Sequence, residues 1–174
     1  MYSLKHLILF GVLLVIGIAK FGFAGEKDNN EISMSIGFMS AGFSYKKRIS
    51  DNFFVGPAIG FGSSRNVSMI SSDSISEGGI RDETWLELVG CFKASEMITI
   101  NTGFSFSNYA RVLDEFIEPN DFGTSMGFFV QPEIGSENIK IGTKIALKKF
   151  QENDLDNGMG IQWTPLILRM SLQW

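Results

Sequence analysis

Lys140, Lys144 and Lys148 recur at every fourth position through a stretch whose alternate residues are Ile139, Ile141, Thr143, Ile145 and Leu147. On an extended chain, side chains two apart share a face, so three ammonium groups line one side of such a segment and apolar groups the other. Glu87 and Lys93 keep the polar parity opposite Leu86, Leu88 and Phe92. Glu133 and Arg169 do the same opposite Pro132, Ile134, Leu168 and Met170, and Lys46 and Arg48 add two more cations. Charged groups gathered on polar strand faces either pair inside a closed interior or draw ions into a watery passage. With cations in excess, such a passage would be mildly anion-attracting.

Acid–base and nucleophilic chemistry have little to draw on. The only histidine is His6, close to the N-terminus, and the only cysteine is Cys91. A serine hydrolase needs a base that titrates near neutrality to take the hydroxyl proton, and a chain without imidazole supplies none. No catalytic residue, cofactor-binding residue or metal ligand is assigned, and no cofactor is implied. Acidic residues instead gather between the apolar segments: Asp73, Glu77, Asp82 and Glu83 in or beside one connection, Asp114, Glu115, Glu118 and Asp121 in a second, and Glu152, Asp154 and Asp156 in a third. They read as solvated loop charge. Hard divalent cations favour such oxygens, so a bridge to anionic lipopolysaccharide is the partner these loops suit.

The segment that carries His6 is not part of the working domain. Lys5 and His6 precede an apolar run from Leu7 to Ala19, followed by Lys20 and then Gly22 and Ala24. A charged start, a short apolar core and small residues before the cut make a secretory signal peptide over residues 1–24, and the core is too short for a helix that crosses a bilayer. Residues 25–174 form the expected mature domain. Cleavage takes two of the fifteen basic residues, leaving thirteen against nineteen acidic ones and a net charge near −6. That balance argues against a nucleic-acid partner. One cysteine cannot form an internal disulfide, so an exported chain needs another way to hold itself together.

A closed sheet is that way. Beyond residue 30 a period of two recurs along nearly the whole chain and a helical period does not. Ile98, Ile100, Thr102, Phe104 and Phe106 oppose Thr99, Asn101, Gly103, Ser105 and Ser107, and Phe53, Val55, Pro57, Ile59 and Phe61 oppose Phe54, Gly56, Ala58, Gly60 and Gly62. Bulky residues pointing out to lipid, with small and charged ones inside, describe an antiparallel up-and-down transmembrane β-barrel in the all-β class. The reverse packing would make a soluble periplasmic carrier and would need a lumen wide enough for every large side chain. Tight turns are expected at residues 50–52, 95–96 and 136–138, and long polar loops at 69–82, 112–122 and 151–158. Pro57 and Pro132 suggest bulges. Seven runs are plain, and the apolar parity switches near residue 39. A tight turn at Ser40-Ala41-Gly42 would divide that segment into two strands, residues 29–38 and 43–49, for eight in all, and the alternative is one bulged first strand. Tyr45, Trp163 and Trp174 are candidates for interfacial aromatic girdles.

The last residues are the most specific motif. Leu166, Leu168, Met170, Leu172 and Trp174 place an apolar side chain at every second position up to a terminal aromatic. This resembles the signal by which outer-membrane proteins are delivered to the barrel-assembly machinery. With the strand, short turn and strand of residues 42–56, the chain resembles the small outer-membrane β-barrels that include the membrane domain of OmpA, OmpX and OmpW. The resemblance implies an outer-membrane location and a porin-like barrel, probed by a lipid bilayer on its outside and monomeric. It does not transfer an activity. The expected role is structural or surface-interacting, and the alternative is a small channel for polar solutes.

Overall fold

The computed structural model describes residues 29–37, 40–70, 75–76, 80–111, 122–152 and 158–174. They form β1 (Asn30–Gly37), β2 (Ser40–Ser50), β3 (Phe53–Ile70), β4 (Ile75–Ser76), β5 (Ile80–Lys93), β6 (Ile98–Arg111), β7 (Phe122–Gly135), β8 (Ile139–Glu152) and β9 (Met159–Gln173). β4 is a two-residue strand that folds back on the end of β3. The other eight make the wall, each antiparallel to its neighbours, and the first and last strands, β1 and β9, pair to close it. The architecture is therefore a closed, eight-stranded, up-and-down barrel.

Alternation decides which way each strand faces. Phe54, Cys91, Thr99 and Ser105 are fully buried inside, while Phe128 is 70 % and Leu88 60 % exposed outside. Rows of outward residues cross the wall in register, such as Leu88, Phe104, Phe128 and Leu147 on β5 to β8. Within that row Phe104 and Phe128 meet edge to face at 5.4 Å. Small residues make room inside: a side chain at Gly60 would run into the ring of Trp85.

The short connections lie at one end, with both ends of the described chain. Lys93 N–H donates to Asn52 O, Gly135 N–H to Met97 O and Ser171 N–H to Asn138 O, and Asn30 and Trp174 exchange backbone hydrogen bonds at 3.0 and 3.1 Å.

Several boundaries differ from those read in the sequence. Ser40 and Ala41 already belong to β2, and the β1–β2 connection falls at residues 38–39, outside the described residues. The strands also run further into the acidic connections than apolar alternation indicates, because neighbouring strands supply hydrogen bonds where the apolar pattern has ended. Neither Pro57 nor Pro132 shifts the register. The β2–β3 pairs stop at Ser44↔Ala58 and resume at Lys47↔Val55, and the β7–β8 pairs stop at Val130↔Ile145 and resume at Glu133↔Gly142, so each proline stands where the ladder skips a pair.

The proline that does mark an irregularity is Pro165. β9 pairs with β3 from Met159 to Trp163 and with β1 from Ile167 onward. The β1–β2 hairpin thus ends partway up the wall. Beyond it β3 closes directly on β9, and six strands continue where there were eight. Pro165 and Leu166 together face Thr143 of β8 in a bulge at this fork. A residue without an N–H is at little disadvantage there. The Thr143 hydroxyl donates to Thr164 O at 2.9 Å and accepts from Trp163 Nε1 at 2.8 Å.

Candidate functional site

The lumen is the one place where the described residues concentrate charge. Glu31, Lys46, Glu83, Glu87, Glu133, Lys140, Lys148 and Arg169 are all buried there. Lys93 and Lys144 point inward from β5 and β8 and are half-buried. Buried charges are tolerated only when paired and hydrogen-bonded, and the strand register supplies the partners.

Nearer the chain ends, Glu31 is the hub. Its Oε1 accepts from Lys46 Nζ at 3.1 Å and Arg169 Nη1 at 2.6 Å, and its Oε2 from Gln173 Nε2 at 3.0 Å. Arg169 Nε donates to Glu133 Oε2 at 2.8 Å, and Gln131 Nε2 donates to the other oxygen of Glu133 at 2.7 Å. Lys46 also donates to Asn101 Oδ1 at 3.2 Å. Five strands contribute to this network, so it ties β1, β2, β6, β7 and β9 together across the interior.

Toward the loop end, Lys148 Nζ donates to Glu83 Oε2 at 3.1 Å and to Ser107 Oγ at 2.8 Å, and Gln162 Nε2 donates to the same Glu83 oxygen at 3.2 Å. Lys144 pairs with Glu87 and lies over the rings of Phe129, at 4.4 Å, and Trp85, at 5.4 Å. A small apolar cluster of Val89, Phe129 and Ala146 packs beside it. Beyond, Tyr109 and Phe150 stack edge to face at 5.5 Å.

Lys93 and Lys140 stand at the mouth near the short turns, in a recess of about 560 Å³. Lys93 Nζ donates to Gln173 Oε1 at 3.0 Å and lies 4.6 Å above the Phe54 ring. Lys140 Nζ donates to the carbonyls of Glu96 and Met97 at 3.2 and 3.4 Å.

The structure thus brings Glu87, Lys93, Glu133, Lys140, Lys144, Lys148 and Arg169 into one interior. It adds two partners that were not assigned there. Glu83 was grouped with loop acids, yet β5 extends past it and its parity matches Glu87. Glu31 shares parity with Ser33 and Ser35, opposite the apolar Ile32, Met34 and Ile36 of β1. Leu166, Leu168, Met170 and Leu172 face outward on β9, and Trp174 lies beside Asn30 at the seam. Asp73, Glu77, Asp114, Glu115, Glu118, Asp121, Asp154 and Asp156 lie outside the described residues, as do residues 1–24, and Glu152 ends β8. Among the described residues no His, Cys, Asp and Glu side chains group as for a metal ion.

No protein-family model matches this chain, and no curated protein matches it. Among solved structures it is similar to the Neisserial surface protein A, NspA, with 10 % identity over 81 % of this chain and 92 % of that one and a TM-score of 0.49. It is similar to the N-terminal β-barrel domain of Pseudomonas aeruginosa OprF, with 13 % identity over 84 % and 100 % of the two chains and a TM-score of 0.41. It is also similar to Ail, the attachment invasion locus protein of Yersinia pestis, with 10 % identity over 82 % and 93 % and a TM-score of 0.36.

Proposed function

We propose that the chain is an integral outer-membrane barrel with a structural and surface-interaction role, its interior filled by ion pairs rather than open to solutes. The observation that carries this reading is the inversion of inside and outside. Glu31, Lys46 and Arg169 are sealed within, while a belt of Leu, Ile, Met and Phe side chains is exposed around the wall. Water would penalise that belt, whereas lipid favours it.

The height of the belt suits a membrane. On β6 the outward residues Ile98, Ile100, Thr102, Phe104 and Phe106 span about 20 Å along the barrel axis for strands tilted by ~40°, close to the ~25 Å apolar band of outer-membrane barrels. On the loop side the belt ends at a polar row in which Thr84, Asn108, Thr124 and Gln151 are successive cross-strand partners. The cavity lined by Lys46, Glu87, Lys144 and Arg169 offers about 70 Å³, room for a few waters. A role without catalysis rests on the absence of imidazole from residues 25–174.

The remaining parts follow from the sequence. Residues 1–24 direct export and are removed, the Leu166-to-Trp174 strand presents the chain to the barrel-assembly machinery, and the acidic loops meet cations and lipopolysaccharide at the surface of a monomer. The test is expression of the full chain in a Gram-negative host, followed by membrane fractionation and gels run with and without boiling. A heat-modifiable band in the outer-membrane fraction, with no conductance after reconstitution in liposomes, is expected. A soluble periplasmic band overturns the membrane reading, and steady conductance replaces the filled barrel with a channel.

A further inference from the structure

The ion-pair network near the chain ends holds more donors than acceptors. Asn101 Nδ2 and Arg169 Nη2 have no hydrogen-bond partner, although both side chains are 97 % buried, at 3 % exposure each. Lys46 uses two of its three hydrogens, on Glu31 and Asn101. All three side chains line the same internal cavity of about 70 Å³, and the ends of Lys46 and Arg169 are held together by their shared Glu31 oxygen. The carboxylate oxygens nearby are already engaged: both of Glu31, by Lys46, Arg169 and Gln173, and both of Glu133, by Arg169 and Gln131.

The charge balance points the same way. In this half of the lumen Glu31 and Glu133 face Lys46, Arg48, Lys93, Lys140 and Arg169, and Arg48, Lys93 and Lys140 reach neutral oxygens of Asp51, Gln173, Glu96 and Met97. Three positive charges are left over in this half, toward the mouth, where they act on the interior with no carboxylate to offset them. A water molecule would accept from the idle donors but would not offset that charge. An anion does both.

We propose that this cavity binds a small monovalent anion of the halide class, held by Arg169 Nη2, Asn101 Nδ2 and the third hydrogen of Lys46, with Lys93 and Lys140 supplying the surplus field. The cavity has room for a single small ion with a few waters. The inference uses the interior alone and does not depend on what surrounds the barrel.

Trp85 lines the same cavity and provides a readout. In a W163F/W174F background, refolded in detergent and shown by its heat-modifiable gel band to be closed, iodide should quench Trp85 saturably, and chloride should reverse the quenching. Removing two of the surplus charges with K93Q/K140Q should raise the half-saturating iodide concentration by about threefold or more, since both ammonium groups act through space on the bound ion. Quenching that is linear in iodide and indifferent to chloride overturns the site and leaves only water in the cavity. Crystals of the unaltered chain grown in bromide give a second measurement that needs no variant. An anomalous peak beside Arg169 Nη2 supports the site, and an empty position there overturns it. The gel band reports barrel closure independently, so failure of the anion site is distinguishable from failure to form a barrel.

Discussion

Glu31 and Arg169, 138 residues apart in the chain, meet inside the barrel with Arg169 Nη1 2.6 Å from Glu31 Oε1. They belong to the first and last strands of the wall, β1 and β9, whose edges the closing ladder joins. The ion pair therefore spans the seam from within. Lys46 from β2 shares the same oxygen, so a single carboxylate organises three strands.

Substituting Glu31→Gln keeps the shape of the side chain and removes the charge, leaving Lys46 and Arg169 buried with a neutral partner. Loss of one member of a buried pair costs on the order of 3 kcal/mol. Unfolding of the detergent-refolded barrel in urea should show a loss of about that size, and Arg169→Lys should fall short of wild type because an ammonium cannot serve Glu31 and Glu133 together in the guanidinium's planar geometry. Stability within error of wild type for E31Q would remove the seam from its proposed place in the closure.

The pair Glu87 and Lys144 bridges β5 and β8 across the lumen. Each single neutralisation, Glu87→Gln or Lys144→Gln, leaves the other charge stranded, while the double change leaves neither. A double-mutant cycle in denaturant should return a coupling of about 1–3 kcal/mol, with the double variant more stable than the sum of the two losses predicts. Additive losses would show that the two groups are solvated separately.

Much of this interior is legible in the sequence because a strand's period is two: once Leu86, Leu88 and Phe92 face out, Glu87 and Lys93 must face in. What alternation does not encode is where a strand stops. Glu83 looks like loop acid because Asp82 and Glu83 follow a polar, glycine-containing stretch, yet β5 continues through it by pairing with Tyr109 of β6. The narrowing from eight strands to six is similarly hidden, since it depends on β3 meeting β9 beyond the β1–β2 hairpin, a pairing between segments nearly a hundred residues apart. Pro165 stands at the break, but its partner Thr143 looks in the sequence like one more outward residue of a regular strand.

At that break Thr143 satisfies two groups at once, the Thr164 carbonyl and the Trp163 indole. Thr143→Val preserves the branched shape and removes both hydrogen bonds. A loss of about 1–2 kcal/mol is expected in denaturant unfolding, in keeping with the usual worth of such bonds. Trp163 is 48 % exposed, so its released N–H should also alter its emission. Unchanged emission and stability would mean that the bulge is held by its backbone alone.

The outward belt permits a test that a soluble barrel and a membrane barrel answer oppositely. Phe128 is 70 % exposed and lies within the belt, four residues along β7 from Thr124 of the polar row that also contains Gln151. If water surrounds the wall, Phe128→Arg replaces an exposed apolar group by a charged one and should cost little beyond its edge-to-face contact with Phe104. If lipid surrounds it, an arginine deep in the belt costs about 2–4 kcal/mol, falling to about 0–1 kcal/mol near the interface. Reversible unfolding into lipid vesicles should therefore show a large loss for Phe128→Arg and little for Gln151→Arg. Equal, small effects at both positions would place the belt in water and remove the physical basis of the membrane reading.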